Sequence, residues 1–388
     1  MKCTDNNQRN NPKIRSRGSS SARRRRRRKK SIYRRILIVL MVLLVVLLGV
    51  GITMVASKLL KPKDVALAYE TMQYNTSVYT GKLLADSYCV TTDNVDLADD
   101  NEKMDTTGFT EAALFDLDNA KVDYAQNVFD KLYPASTTKI LTALIALENT
   151  KLTDVVTVAD EAGVDQFAED ESTCGIEGGD KLTMKDLLYG MLLESGNDNA
   201  AAIAYYISGS MDDFADLMNQ RAEELLATHS HFVNSNGLHD EDHYTTAYDL
   251  YLIFNECIKH QEFIDIINTD SYTATITSAD GTERTMEWAP TNYYQQGISE
   301  VPEGVTVIGG KTGTTDEAGS CLILLTKDDN QHPYISIVMG ADTKDILYQD
   351  MTTILSTIPD KSSSKKTESN DTESNNTDSD TSDSNQTE

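Results

Sequence analysis

Tyr133-Pro134-Ala135-Ser136-Thr137-Thr138-Lys139-Ile140-Leu141-Thr142-Ala143-Leu144-Ile145-Ala146-Leu147-Glu148-Asn149 reads as a short approach followed by a helix over 136–149. Ile140, Leu141, Leu144, Ile145 and Leu147 fall at helical spacing, Ala143 and Ala146 fill other faces, and Thr142 alone is polar between Ile140 and Leu147. A helix apolar nearly all round belongs inside a protein. Ser136 and Lys139, three residues apart at its start, share a face. Burial disfavours the ammonium, so this lysine is placed to act as a neutral amine beside a hydroxyl. Ser136 at the helix start also keeps a backbone N–H that can donate to an oxyanion. Taken alone, the pair is better explained as a helix cap beside a surface lysine.

Working outward, Ala112 to Tyr124 predicts two strands around Asp118-Asn119-Ala120-Lys121. Thr183 can cap a helix over 184–193, Ser210 another over 211–226, and a further helix begins after Thr245-Thr246. The pattern then turns to strands at 272–277, 285–288, 305–308, 321–326 and 334–339, with a closing helix over 346–358. One early strand pair, helices between and hairpin-linked strands late in the chain predict an α+β domain: an antiparallel sheet joining both ends of the chain, flanking helices and a helical subdomain.

Two further stretches carry chemistry. Ser195-Gly196-Asn197 follows a helix and precedes Ala200-Ala201-Ala202, so it is a short connection between helices whose plain reading is a polar turn. Lys311-Thr312-Gly313-Thr314, after Gly309-Gly310, is expected at a strand end, where glycine lets another backbone approach. The four-residue spacer between glycines of a phosphate-binding loop is absent.

The 388 residues carry a formal charge of −26, unevenly spread. Residues 1–35 hold fifteen Lys or Arg against Asp5 alone, so the rest of the chain is strongly acidic and nucleic acid is not an expected partner. Residues 36–56 contain no charge and as a helix would reach about 32 Å, enough to cross a bilayer. Cationic residues before the span hold that side in the cytoplasm. The expectation is a single-pass cell-membrane protein with segment 1–35 cytoplasmic, 36–56 transmembrane and 57–108 an extracellular stalk or extension. An extracellular catalytic domain over 109–358 and a disordered acidic tail over 359–388, without Leu, Val or aromatic residues beyond Lys361, complete the organisation. Cleavage near Met54-Val55-Ala56-Ser57 is the alternative to a retained span. Cys89, Cys174, Cys257 and Cys321 then lie outside, either as two disulfides of undetermined pairing or as free thiols.

Serine-x-x-lysine, serine-x-asparagine and lysine-threonine-glycine, in that order, resemble the active-site set of penicillin-binding proteins and serine β-lactamases. With Asn236-Gly237-Leu238-His239-Asp240 and His243-Tyr244-Thr245-Thr246-Ala247, the resemblance narrows to the D-alanyl-D-alanine carboxypeptidases of the S11 serine peptidase type. That resemblance implies a hydrolase in which Ser136 attacks the bond between the two terminal D-alanines of a peptidoglycan stem peptide. It implies Lys139 as base, Ser195 as proton relay, and Asn197, Lys311, Thr312, Gly313 and Thr314 as substrate-binding residues. It further implies β-lactam antibiotics as covalent inhibitors and a role in peptidoglycan synthesis, cell-wall biogenesis and cell shape. Relatives often carry an arginine after the strand corresponding to 334–339; this chain offers Lys344. A β-lactamase reading lacks a glutamate-bearing loop for deacylation, and a silent sensor has no chemical need for both Lys139 and Ser195. No cofactor is expected, and no metal, because His239 and His243 stand outside any zinc-protease motif.

Overall fold

The computed structural model describes residues 88–91, 94–96 and 107–358. The readings for 1–35, 36–56 and 359–388, and most of 57–108, lie outside the described residues. Among the described residues no helix is long and apolar enough to cross a membrane.

Strands β1 (Glu111–Asp116) and β2 (Lys121–Gln126) form the early pair. The late strands β7 (Val305–Thr315), β8 (Gly319–Asp328) and β9 (Pro333–Ala341) complete an antiparallel sheet of order β2-β1-β9-β8-β7. Alternation along these strands feeds two cores. Ala112, Leu114, Leu322, Leu324 and Val338 pack with Leu347, Met351, Ile354 and Leu355 of the closing helix Lys344–Ser356. Ala113, Phe115, Ile323, Leu325, Ile335 and Ile337 face the other way, into the larger core. Phe115 stacks on Tyr251 at 4.1 Å between centroids.

That larger core is built around α1 (Lys139–Asn149), every residue of which from Lys139 to Ala146 is buried. A 3₁₀ turn, Ala135–Thr138, precedes it and carries Ser136. Helix α2 (Met184–Tyr189) starts at a capping box between Thr183 and Asp186, and runs into a π-helical turn, Gly190–Glu194. Then come α3 (Asn197–Ser208), α4 (Met211–Glu224), α5 (Ala247–Cys257) and a short α6 (Gln261–Ile267). Ser210 and Thr246 accept from the N–H groups of Asp213 and Asp249, so the expected caps are in place. The closing helix is α7.

The sequence-based picture differs in two places. Strands β5 (Tyr272–Thr277) and β6 (Glu283–Trp288) do not join the main sheet; with β3 (Val155–Thr157) and β4 (Lys181–Thr183) they form a second antiparallel sheet, β3-β4-β5-β6. The lysine-threonine-glycine motif lies within β7 rather than at a strand end. The Gly309-Gly310 pair sits at a bulge inside the strand: the register shifts between Val307 and Gly309, and a Cβ on Gly309 would stand 1.9 Å from the Ile267 carbonyl oxygen. Within 57–108, Cys89 is buried and its N–H donates to the Tyr251 hydroxyl (2.9 Å), while Val95 bridges Ala125 of β2. Cys89, Cys174, Cys257 and Cys321 are free, buried thiols.

Candidate active site

The nucleophile turn is shaped before its chemistry begins. Ala135 adopts φ 47°, a left-handed conformation rare for residues with a side chain, and Ser195 does the same at φ 67°. Such strain, held in place by surrounding structure, concentrates at functional sites. Gly237 supports the first of these: a Cβ there would stand 1.8 Å from the Ala135 carbonyl oxygen. His243 supports the same turn from behind. Its Nδ1 accepts from Val233 N (3.1 Å), so Nε2 carries the proton and donates to Thr138 Oγ1 at 2.8 Å. Burial pushes this imidazole down to about 4, so it is neutral at ordinary pH.

Lys139 is fully buried, and its Nζ lies 2.9 Å from Ser136 Oγ, 2.7 Å from Asn197 Oδ1 and 2.7 Å from the Asn236 carbonyl. Desolvation first, and then the charge of Lys311, hold its pKa well below the ordinary lysine value. A neutral amine has two hydrogens and one lone pair. Asn197 Oδ1 and Asn236 O can only accept, so they take both hydrogens and the lone pair is left facing the Ser136 hydroxyl. That is the arrangement a general base requires.

Ser195, on the π-turn side, is bonded to Lys311 rather than to Lys139: Lys311 Nζ donates to Ser195 Oγ and to the Thr312 carbonyl, each at 2.9 Å. Burial lowers Lys311 to about 7. Gly313 brings β7 against the nucleophile turn, where a Cβ would meet Ser136 N at 3.0 Å. Thr312 Oγ1 shares a hydrogen with Thr291 Oγ1 at 2.6 Å, and Thr314 Oγ1 donates to the Gly313 carbonyl at 2.8 Å. Since β7 ends its sheet, one edge of this strand has no neighbouring strand among the described residues.

Ser136, Ser195, Thr312, Gly313, Thr314 and Lys344 line one solvent-open cleft of about 540 Å³. All eight motif residues singled out from sequence therefore converge, with Lys139, Asn197 and Lys311 buried immediately behind it. The Asn197 side-chain oxygen accepts from Lys139, and its Nδ2 donor takes no part in that bond. Asn236 and Thr291 were missed as site residues. The first acts through a backbone carbonyl, which no residue type announces, and the second lies outside every motif. The histidines do not converge: His243 faces Thr138, whereas the His239 ring meets Tyr133 edge-on at 4.6 Å.

A serine on the wall of an open cleft, beside a buried lysine whose pKa is held well below its ordinary value and bordered by a strand edge, has the arrangement of a serine acyl-transfer site. The family model for D-alanyl-D-alanine carboxypeptidases, peptidase S11, matches residues 99–343, and the chain belongs to that family. It is 33% identical over 238 residues to D-alanyl-D-alanine carboxypeptidase DacF of Bacillus subtilis (strain 168), covering 60% of this chain and 57% of that one. It is 30% identical over 242 residues to D-alanyl-D-alanine carboxypeptidase DacD of Escherichia coli (strain K12), covering 59% and 58%. The chain thus spans less than two thirds of the length of these curated relatives. The crystal structure of the Streptomyces K15 DD-transpeptidase superposes with a TM-score of 0.59 at 26% identity, covering 69% of this chain and 98% of that one.

Proposed function

We propose that the chain is a membrane-anchored serine-type D-Ala-D-Ala carboxypeptidase that trims the terminal D-alanine from peptidoglycan stem peptides. The observation that carries this reading is the fully buried Lys139 Nζ, 2.9 Å from Ser136 Oγ, with its pKa held well below the ordinary lysine value.

Lys139 takes the Ser136 proton as Oγ bonds to the carbonyl carbon of the penultimate D-alanine. The negative charge moves to the carbonyl oxygen, where the N–H groups of Ser136 and Thr314 stabilise it; one such donor is typically worth about 3 kcal/mol. As the tetrahedral intermediate collapses, the C–N bond breaks and the proton that Lys139 took from Ser136 passes by way of Ser195, which Lys311 orients, to the leaving amine, so that Lys139 is neutral again. Water then gives a proton to Lys139 as its oxygen bonds to the acyl carbon, the ester bond to Ser136 Oγ breaks, and Lys139 returns the proton to that oxygen as the shortened peptide leaves. The substrate backbone pairs along the open edge of β7, with Asn197 Nδ2 and Thr312 as side-chain partners. Thr314 and Lys344, both on the cleft wall, meet the terminal carboxylate. β-Lactams stop at the acyl-enzyme.

The apolar span at 36–56 supports an anchor with the catalytic domain outside the cell. The decisive experiment is D-alanine release from a peptide ending in D-Ala-D-Ala by the full-length chain in detergent, with Ser136→Ala as control. Release that vanishes in the variant supports the reading; a folded wild type that neither releases D-alanine nor is acylated by penicillin refutes it.

A further inference from the structure

Three hydrogen bonds tie one short segment, 289–291, to both walls of the cleft. Ala289 N donates to Glu194 Oε2 at 3.4 Å and Thr291 N to the Leu193 carbonyl at 3.2 Å, so the segment is fastened to the π-turn that delivers Ser195. On its other side, Thr291 Oγ1 lies 2.6 Å from Thr312 Oγ1 in β7. Thr291 itself lines the cleft with Ser136 and Ser195. It follows β6 by three residues, where the chain leaves the second sheet for the strand that carries Lys311.

We infer that Thr291 is a positioning residue of the acyl-transfer site, aiming the Thr312 hydroxyl into the cleft and setting the spacing between β7 and the turn that carries Ser195. The inference rests on the carboxypeptidase reading. A hydroxyl has one hydrogen and two lone pairs. When Thr291 donates to Thr312, the Thr312 hydrogen stays available for an acceptor on the ligand. The reverse arrangement would turn a Thr312 lone pair toward that acceptor, so a bound carbonyl or carboxylate selects the first. The Thr312 carbonyl is already held by Lys311 Nζ, which fixes the backbone and leaves the side chain as the part needing orientation. Besides the Lys311–Ser195 bond, the Thr291 pair of contacts is a second link, among the described residues, between β7 and the Ser195 side of the cleft. Two links separated along the strand resist a change in cleft width that one could follow as a pivot.

The test is the second-order rate constant for acylation of Ser136 by a fluorescent penicillin, measured on the full-length chain in detergent. Thr291→Val keeps the shape and removes the hydroxyl; it should slow acylation about five- to tenfold, the worth of one neutral hydrogen bond. Thr291→Ser should stay within about twofold of wild type. Combined with Thr312→Val, the valine at 291 should slow acylation no further than Thr312→Val alone, because its effect runs through that hydroxyl. If Thr291→Val does not fold, judged by its thermal midpoint, Thr291→Ala takes its place in the same cycle. Unchanged acylation in the folded valine or alanine variant, or losses that multiply in the double variant, overturn the inference alone. A folded wild type that is not acylated overturns the carboxypeptidase reading and the inference with it.

Discussion

Replacing Gly237 by alanine should damage both the fold and the chemistry, and two structural terms set how much. Gly237 has φ +89°, and a side chain there costs about 1–2 kcal/mol for the left-handed backbone alone. A Cβ would also stand 1.8 Å from the Ala135 carbonyl oxygen, where real contacts essentially never fall below 3.0 Å. The obstacle is backbone, so no side-chain rotation relieves it and one chain must retreat by more than an ångström. Overpacking of a well-packed site costs about 1–3 kcal/mol, and a rigid neighbour places this case at the upper end. The expected total is about 3–5 kcal/mol. Gly209 supplies the internal control, with φ +81° and nothing within 4 Å of an added Cβ. Gly209→Ala should lose only the backbone term. Urea unfolding can be followed by the fluorescence of Trp288, the chain's one tryptophan, which is buried. Because the displaced carbonyl belongs to the peptide group that carries Ser136 N–H, Gly237→Ala should also slow penicillin acylation by about two orders of magnitude, the usual effect of losing one oxyanion donor. Gly209→Ala should acylate like wild type. Equal stability and equal acylation in the two variants would refute the claim that this glycine holds the nucleophile turn.

Other outcomes follow from the titrating groups and the cleft wall. Lys139 is depressed below the ordinary 10.5, and a lowered lysine is neutral above its own pKa, so acylation should persist as pH falls through 10.5 and fail only at the depressed value. An acid limb centred near 10.5 in the acylation profile would contradict the neutral base. Glu111 is buried against Ala247 N, and desolvation pushes it up to about 9 from an ordinary 4.5. The native state then keeps a proton that the unfolded chain releases, so the stability it contributes is fully present below about 4.5 and is lost as pH rises toward about 9. Glu111→Gln should flatten that slope, read as the urea midpoint against pH, and an unaltered slope would remove the assignment. Lys344→Ala should raise KM for a peptide acid about tenfold or more, the worth of one charged hydrogen bond, while leaving the amidated peptide unaffected. Equal discrimination between acid and amide in both proteins would take Lys344 out of carboxylate binding.

Where the physics was local, the elements could be read from residue types. Thr183, Ser210 and Thr246 each precede an aspartate by three residues, and each caps a helix. Likewise Ser136 and Lys139 meet because three residues of helical rise bring them to one side. What could not be read was pairing across distance. Strands β3 and β4 are three residues long, too short to leave an alternation, so the second sheet was invisible and β5 and β6 had no other home than the first. The motifs identified Ser195, Asn197 and Lys311 but not who bonds whom; that Asn197 serves Lys139 while Lys311 serves Ser195 depends on packing between segments far apart in the chain. Asn236 lies in a stretch that the resemblance singled out, but it contributes a carbonyl, which every residue possesses, so its residue type does not announce that role.

The pairing of β1 with β9, Glu111 opposite Met339 and Asp116 opposite Tyr334, has a kinetic consequence. The strand that carries Lys311 hangs from β8, which hangs from β9, which docks on a strand that precedes all the described helices in the chain. Closing so long a loop is entropically unfavourable until its contacts form, and high contact order slows folding. The helices around α1 can gather while the chain is still emerging, but the cleft has only one wall until Ala341 has arrived. The second wall is therefore completed late, and a chain halted before β9 carries its nucleophile beside a β7–β8 hairpin that has no sheet to dock on.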